Sequence, residues 1–301
     1  MRKRHFLFAS ALALLCSSGA LHAQDFKLTS SGYFKNQGVD VMAFDDIYPE
    51  GHQGGVCIIM NGHRVATNGD IRLEATPGQW QPVPKQLDRK LGDNSITATL
   101  CYPDSSRHLT GFNPMIYPDL HLIYTVNVES KGKNIEVTVD LDRPIPQEFI
   151  GKVGFNLEFF PGSLFGKPWI MDGQSGIFPQ QPNSPLMTTQ PNYLHTGNYH
   201  DGKKSLADMN KLIGKGYSPI VADDIISEPY AKGTKFTSRP DDPYNKVTIE
   251  SLSGDLQLFD GRMNHNNGWF VLRSNIKPGV TKGAVKWIIT PNVVADWMYQ
   301  P

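Results

Sequence analysis

The sequence predicts an all-β fold, a large antiparallel β-sandwich with long loops, and three observations carry that prediction. Gly, Pro, Asn and Asp recur about every eight to twelve residues, the punctuation of sandwiches and barrels. The runs between them alternate apolar and polar residues with the period of two that a half-buried strand requires. Asn61-Gly62 stands between two such runs, and Asn-Gly supplies the two positive-φ residues of a type I′ hairpin turn.

In chain order, residues 56–60 and 63–66 form the arms of that hairpin, and Asn68-Gly69-Asp70 reads as a second tight turn before Ile71, Arg72, Leu73 and Glu74. Strands are expected over 95–101, 120–129 and 134–141, the last two joined by Ser130-Lys131-Gly132-Lys133. The stretch 152–182 is the densest in aromatic, glycine and proline residues. Within it Val153, Phe155, Leu157 and Phe159 alternate as core-facing positions and Glu158 takes the opposite face. Pro161-Gly162 then turns the chain, and a short strand runs through Trp169 and Met171. Residues 247–250, 256–259, 268–273 and 283–290 supply the remaining strands, with Trp287 between Val285 and Ile289 as a core residue. Residues 183–242 carry prolines, asparagines and charges and read as a long irregular excursion, in which only 205–213 suits a short helix. A loop of that length inside a compact domain is functional or poorly ordered.

The first 23 residues read as a secretory signal, with Arg2, Lys3 and Arg4 ahead of an apolar core from Phe6 to Leu15 and a cleavage site at Ala20-Leu21-His22-Ala23. The expected organisation is a leader at 1–23 and one sandwich module at 24–301, exported to the periplasm, the outer surface or the medium. The leader removes three basic residues and no acidic one, so 26 Lys and Arg face 29 Asp and Glu. That balance gives no electrostatic case for nucleic acid. No other apolar run approaches the roughly 20 residues of a membrane helix, so no membrane span is expected. Cys57 and Cys101 remain, and an oxidising compartment permits a disulfide, while two buried thiols fit the same apolar contexts. No zinc-ligand spacing, Gly-x-Ser-x-Gly elbow, phosphate-binding glycine loop or His-Glu-x-x-His helix is present. No metal or cofactor is therefore expected.

Three kinds of candidate chemistry remain. Tyr48-Pro49-Glu50-Gly51-His52, Tyr102-Pro103-Asp104 with His108, and Tyr117-Pro118-Asp119-Leu120-His121 each place an aromatic, a carboxylate and a histidine in one loop; the simpler use of Tyr-Pro-acid is to build a turn. A glycosidase needs two carboxylates flanking a cleft, and Glu158, Asp172, Asp46 and Glu50, with Asp45, are the acids placed to supply them. Exposed indoles stack on sugar rings while amides bond their hydroxyls. Trp80 in a polar loop, Trp169, and Asn264, His265 and Asn267 in the loop before Trp269 are the carbohydrate-binding candidates, although an amphipathic indole serves packing equally and Asn and Gly also serve turns.

The segments YPEGHQGGVCIIMNGHRVATNGDIRLEATPGQWQPVPK, GFNPMIYPDL, GKVGFNLEFFPGSLFGK with GIFPQQP, and LFDGRMNHNNGWFVLRS with TKGAVKWIITPNV resemble the N-terminal region of secreted bacterial family 9 glycoside hydrolases, the cellulase and endoglucanase group. The resemblance runs from about Tyr33 to Pro301. It implies a β module that precedes an (α/α) catalytic domain. The family's Asp-Ala-Gly-Asp motif is missing from this sequence, so no catalytic residue carries over. The reading that follows is a non-catalytic accessory module that binds a polysaccharide or oligosaccharide, or supports a downstream catalytic domain. The alternatives are a glycoside hydrolase acting through a carboxylate pair within the module, and a structural interdomain or cell-surface scaffold.

Overall fold

The computed structural model describes residues 25–45, 54–74, 84–104, 120–180, 228–261 and 269–294. The expected leader, residues 183–227 of the expected excursion, and the expected helix at 205–213 lie outside these residues. Among them the chain forms two nine-stranded sheets, and every strand pairing is antiparallel. The fold is the all-β sandwich that the period-two pattern predicts.

The first sheet is built from β1 (Lys27–Leu28), β2 (Phe34–Asn36), β3 (Val39–Ala43), β4 (Val56–Met60), β5 (His63–Leu73), β10 (Val153–Phe159), β17 (Phe270–Asn275), β16 (Leu256–Asp260) and β13 (Ala231–Gly233), in that spatial order. The second runs β12 (Gln174–Ile177), β11 (Pro168–Met171), β14 (Lys235–Ser238), β15 (Val247–Ser251), β18 (Val285–Pro291), β9 (Asn134–Leu141), β8 (Leu122–Lys131), β7 (Ser95–Tyr102) and β6 (Lys85–Leu91). Strands β13 and β14 fall in the last part of the segment expected to be irregular.

One core joins the sheets. Val153, Phe155, Leu157 and Phe159 of β10 face inward and are buried. Phe155 meets Trp287 edge-on at 5.0 Å, and Phe159 meets Phe236 at 5.8 Å. Trp287 places its one polar atom by donating from Nε1 to Ser274 Oγ at 3.0 Å, as buried indoles usually do. In β7, β8 and β9 buried and half-buried residues alternate, so the second sheet has one wet face. By contrast all seven residues of β10 and the first five of β17 are buried. The outer face of the first sheet is therefore covered at its centre.

Asn61 and Gly62 both take positive φ, as their hairpin requires. Asn68-Gly69-Asp70, expected to be a turn, instead lies inside the 11-residue strand β5. Asp70 pairs with Asn156 and Thr67 with Glu158, so Asn68 and Gly69 together oppose Leu157 alone. This is a β-bulge, with Asn68 at φ 55°, and Asn-Gly serves a bulge for the same conformational reason that it serves a turn. Gly69 is needed there, because a Cβ would lie 2.6 Å from that of Val56.

Cys57 and Cys101 are thiols on different sheets, in β4 and β7. Among the described residues no helix is long and apolar enough to cross a membrane.

Candidate functional site

The covered face of the first sheet collects most of the buried charged residues among those described. Asp70, Arg72 and Glu74 come from β5 and the residue after it, Asn156 and Glu158 from β10, and Arg273 from β17, all buried. The strands bring them together by register: Gly154 sits between Arg72 and Asn275, Asn156 between Asp70 and Arg273, and Glu158 between Thr67 and Val271. Side chains on paired residues share a face, so these form three successive rows.

Most buried polar groups find hydrogen-bond partners, and each of these residues does, although Asp70 Oδ2 makes no hydrogen bond. Arg273 donates from Nη1 to Asn156 Oδ1 at 2.7 Å, from Nε to Asn275 Oδ1 at 2.8 Å, and from Nη2 to the Lys152 carbonyl. Asn156 passes the chain on, donating from Nδ2 to Glu74 Oε1 at 3.0 Å. Arg72 lies with Nη1 3.6 Å from Asp70 Oδ2 and donates to the Ile71 carbonyl at 2.9 Å. The bulge turns Asn68 toward β10, where its Nδ2 donates to Glu158 Oε2 at 2.7 Å.

The edge of β5 is closed by the other sheet. Pairing with β4 ends at Val56 and Gly69, which leaves the N–H groups of Ile71 and Leu73 facing away from β10 without a strand partner. Asp70 Oδ1 accepts from the Ile71 N–H at 2.7 Å, and the Tyr102 hydroxyl accepts from the Leu73 N–H at 3.1 Å. Tyr124 then donates its hydroxyl to Asp70 Oδ1 at 2.7 Å. Burial pushes the Asp70 carboxyl above the usual range, against the opposing pull of Arg72 and the Tyr124 hydrogen bond. Burial and the neighbouring Asp70 carboxylate push the Tyr124 phenol well above its ordinary value. Burial opposes the charge on both guanidinium groups. Asp70 and Glu158 outweigh it at Arg72, whose pKa is raised, while burial prevails at Arg273.

At the β10 end of the same face the rows change character. Phe160 follows Phe159 in extended conformation, so its side chain continues the Asn156–Glu158 face. Trp269 precedes Phe270 and holds the matching position beside β17, with the Gly261 N–H bonded to its carbonyl. The two rings meet edge-on at 5.2 Å. Phe160 is 49% exposed, whereas Glu158 two residues before it is 2% exposed. The face is thus closed over its charges and opens at an aromatic rim, about 7 Å along the strand from Glu158.

Of the residues singled out from the sequence, Glu158 alone belongs to this face. Asp172 lies at φ 45° in the exposed turn between β11 and β12. It accepts from the backbone N–H of Thr234 at 2.6 Å and of Lys235 at 2.9 Å, and these bonds hold its carboxyl below the usual range. It ties a turn to a neighbouring strand of the second sheet and does not face Glu158's rows. Trp169 is 6% exposed and packs over Gly176, where a Cβ would overlap the indole. An indole so enclosed takes the packing use that the sequence left open for Trp169 beside sugar binding. Asp45 is exposed and 4.0 Å from Arg89. Asp46, Glu50, Trp80, Asn264, His265 and Asn267 lie outside the described residues, as do the first Tyr-Pro loop, His108 and Tyr117-Pro118-Asp119. Tyr102 of the second is buried in the network above.

Phe160 is the residue that sequence reasoning missed, whereas Trp269 was one of five tryptophans the sequence offered for stacking on sugar. The doubled Phe159-Phe160 was the available signal: two successive aromatics on a strand put one on each face.

No family model matches the chain, and no curated protein does. Similar solved structures include the Slr1438 protein of Synechocystis sp. PCC 6803, at 12% identity and TM-score 0.34, covering 97% of this chain and all of that one. They also include YeaD of Salmonella typhimurium, provisionally assigned as a mutarotase, at 8% identity and TM-score 0.32, covering 89% of this chain and 96% of that one. A galactose mutarotase related enzyme of Lactobacillus acidophilus stands at 9% identity and TM-score 0.35, covering 86% of this chain and 96% of that one. At these values the likenesses carry no argument about what this chain does.

Proposed function

We propose that the chain is an exported glycan-binding module, and that it takes its ligand at the aromatic rim of the first sheet, where Phe160 stands two residues beyond Glu158. One observation carries this reading: Phe160, 49% exposed, and the half-buried Trp269 form an aromatic step on the sheet face that carries Glu158. An aromatic surface of this kind covers the C–H face of a pyranose ring. The charged rows beneath are costly to bury, and an apolar face of equal volume is often as stable or more so; their presence favours a role beyond packing.

The accessory role beside a catalytic domain rests on the resemblance to family 9 glycoside hydrolases, and export rests on the leader sequence. Affinity electrophoresis through xylan, xyloglucan and mixed-linkage glucan, with pull-down on insoluble cellulose, tests the reading. Retardation in at least one glycan, lost on Trp269→Ala, supports it, and free migration through all of them with no cellulose retention contradicts it. Reducing-sugar release by the chain, abolished by Glu158→Gln, would replace it with the hydrolase alternative.

A further inference from the structure

We propose that two copies of this chain associate by pairing their β12 strands antiparallel about a two-fold axis, joining their second sheets edge to edge. The inference is independent of glycan binding and rests on how the four sheet edges differ.

An edge strand exposes unpaired N–H and C=O groups, and proteins protect such edges with charges, bulges, prolines or brevity. Strand β6 carries Lys85, Asp88, Arg89 and Lys90 and a register shift between Gln86 and Asp88. Strand β1 has two residues, one of them Lys27. Strand β13 has three, with Lys232 exposed at its centre. Strand β12 reads Gln-Ser-Gly-Ile, with no charge, no proline and no bulge in its pairing to β11. It is the unprotected edge among the described strands.

The outward groups of β12 follow from its partner. Pro168 pairs with Ile177, and proline has no N–H to give, so that pair is of the non-hydrogen-bonded kind. Alternation along an antiparallel ladder then makes Ser175 and Ile177 the residues whose N–H and C=O groups point away from β11. Among the described residues no hydrogen bond to those groups is found.

The occupant that fits is a second copy. With Gly176 on the two-fold axis, Ser175 of each copy opposes Ile177 of the other, and both residues supply their outward N–H and C=O groups to the ladder. No like charges meet across the axis because the strand has none. On the outer face Ile177, 63% exposed, then enters the row that holds Ser175 and Ile170 of the other copy, the latter 38% exposed. The same self-pairing at β6 would set its lysines and arginine against their own copies. A two-fold contact of this kind closes on itself and stops at the dimer. Its small area makes it a weak, concentration-dependent one.

Sedimentation velocity and equilibrium on the exported chain, from about 1 µM to 1 mM, test the proposal over the range where small interfaces dissociate. The expected result is a monomer–dimer equilibrium in the wild type, weakened at least tenfold by Ile177→Lys and by Ser175→Pro. Proline at 175 removes an outward N–H and leaves pairing to β11 intact; unchanged far-UV circular dichroism checks that it folds, and Gln174→Lys takes its place if it does not. A monomer throughout the range, a dimer indifferent to these substitutions, or open-ended oligomers would each overturn the proposal.

Discussion

Asn68 reaches out of the bulge in β5 and donates its side-chain amide to the Glu158 carboxylate of β10, Nδ2 to Oε2 at 2.7 Å. The bond ties the backbone irregularity to the polar face, and it can be removed without disturbing the irregularity. Asn68 holds φ 55°, which glycine adopts freely. Asn68→Gly therefore isolates the bond. A hydrogen bond to a charged, buried acceptor is worth about 1.5–3 kcal/mol, and urea denaturation of Asn68→Gly should show a loss of that order with an unchanged m-value.

Gly154 lies where the face is tightest. A Cβ there would stand 2.6 Å from the Ser274 carbonyl oxygen and 2.8 Å from Arg273 Cζ. Gly154→Ala must shift either the β17 backbone or the guanidinium that holds Asn156, at a cost of about 1–3 kcal/mol as for other overpacked sites. Thermal unfolding checks the loss, and it should exceed that of Gly151→Ala, where positive φ strains the backbone but nothing lies within 4 Å.

Two aspartates should move stability in opposite directions with pH. Backbone N–H groups of Thr234 and Lys235 lower the pKa of Asp172, so the folded state binds fewer protons than the unfolded one. Its contribution is present above the ordinary aspartate value of 3.8 and is lost as pH falls through the folded pKa. Asp172→Asn, which tolerates the positive φ of this turn, should lower stability at neutral pH and lose that effect toward the acid end. Burial raises Asp70 above 3.8. Its contribution is present below that value and is lost as pH rises through the folded pKa, because the folded state now binds the extra proton. Urea midpoints of the wild type relative to Asp70→Asn should therefore decline from about pH 4 upward.

The parts of this architecture that depend on local chemistry were legible in the sequence. Strand β9 runs over the expected 134–141, and the Val153 to Phe159 alternation and the core placement of Trp287 hold, because burial of one face imposes period two. Strand β6, Lys85–Leu91, went unseen since none of its residues is buried and alternation has nothing to record there. The bulge read as a turn because Asn-Gly at positive φ serves both, and only the partner strands decide between them. The polar face was invisible for a related reason. Asp70, Arg72, Glu74, Asn156, Glu158 and Arg273 are ordinary solvent-side letters of their own strands, and what makes them a cluster is the β5–β10–β17 order, a long-range fact. Glu158 alone was picked out, from its place opposite the core face of β10.

Trp169 and Gly176 give a local test of the second sheet. The indole fills the space a side chain at 176 would take, so Gly176→Ala should lower stability by about 1–3 kcal/mol. Replacing Trp169 by Leu in the same chain should recover part of that loss, a coupling that a double-mutant cycle on thermal unfolding measures directly.

Isothermal titration with soluble xylan, xyloglucan and mixed-linkage glucan oligosaccharides tests the central claim, that the aromatic rim beside Glu158 is a glycan site. The account predicts saturable binding to at least one of them and a loss of about tenfold or more, 1.4 kcal/mol, on Phe160→Ala and on Trp269→Ala, with Asp172→Ala binding as the wild type. Absence of binding across the panel, or binding that both aromatic substitutions leave unchanged, would contradict it.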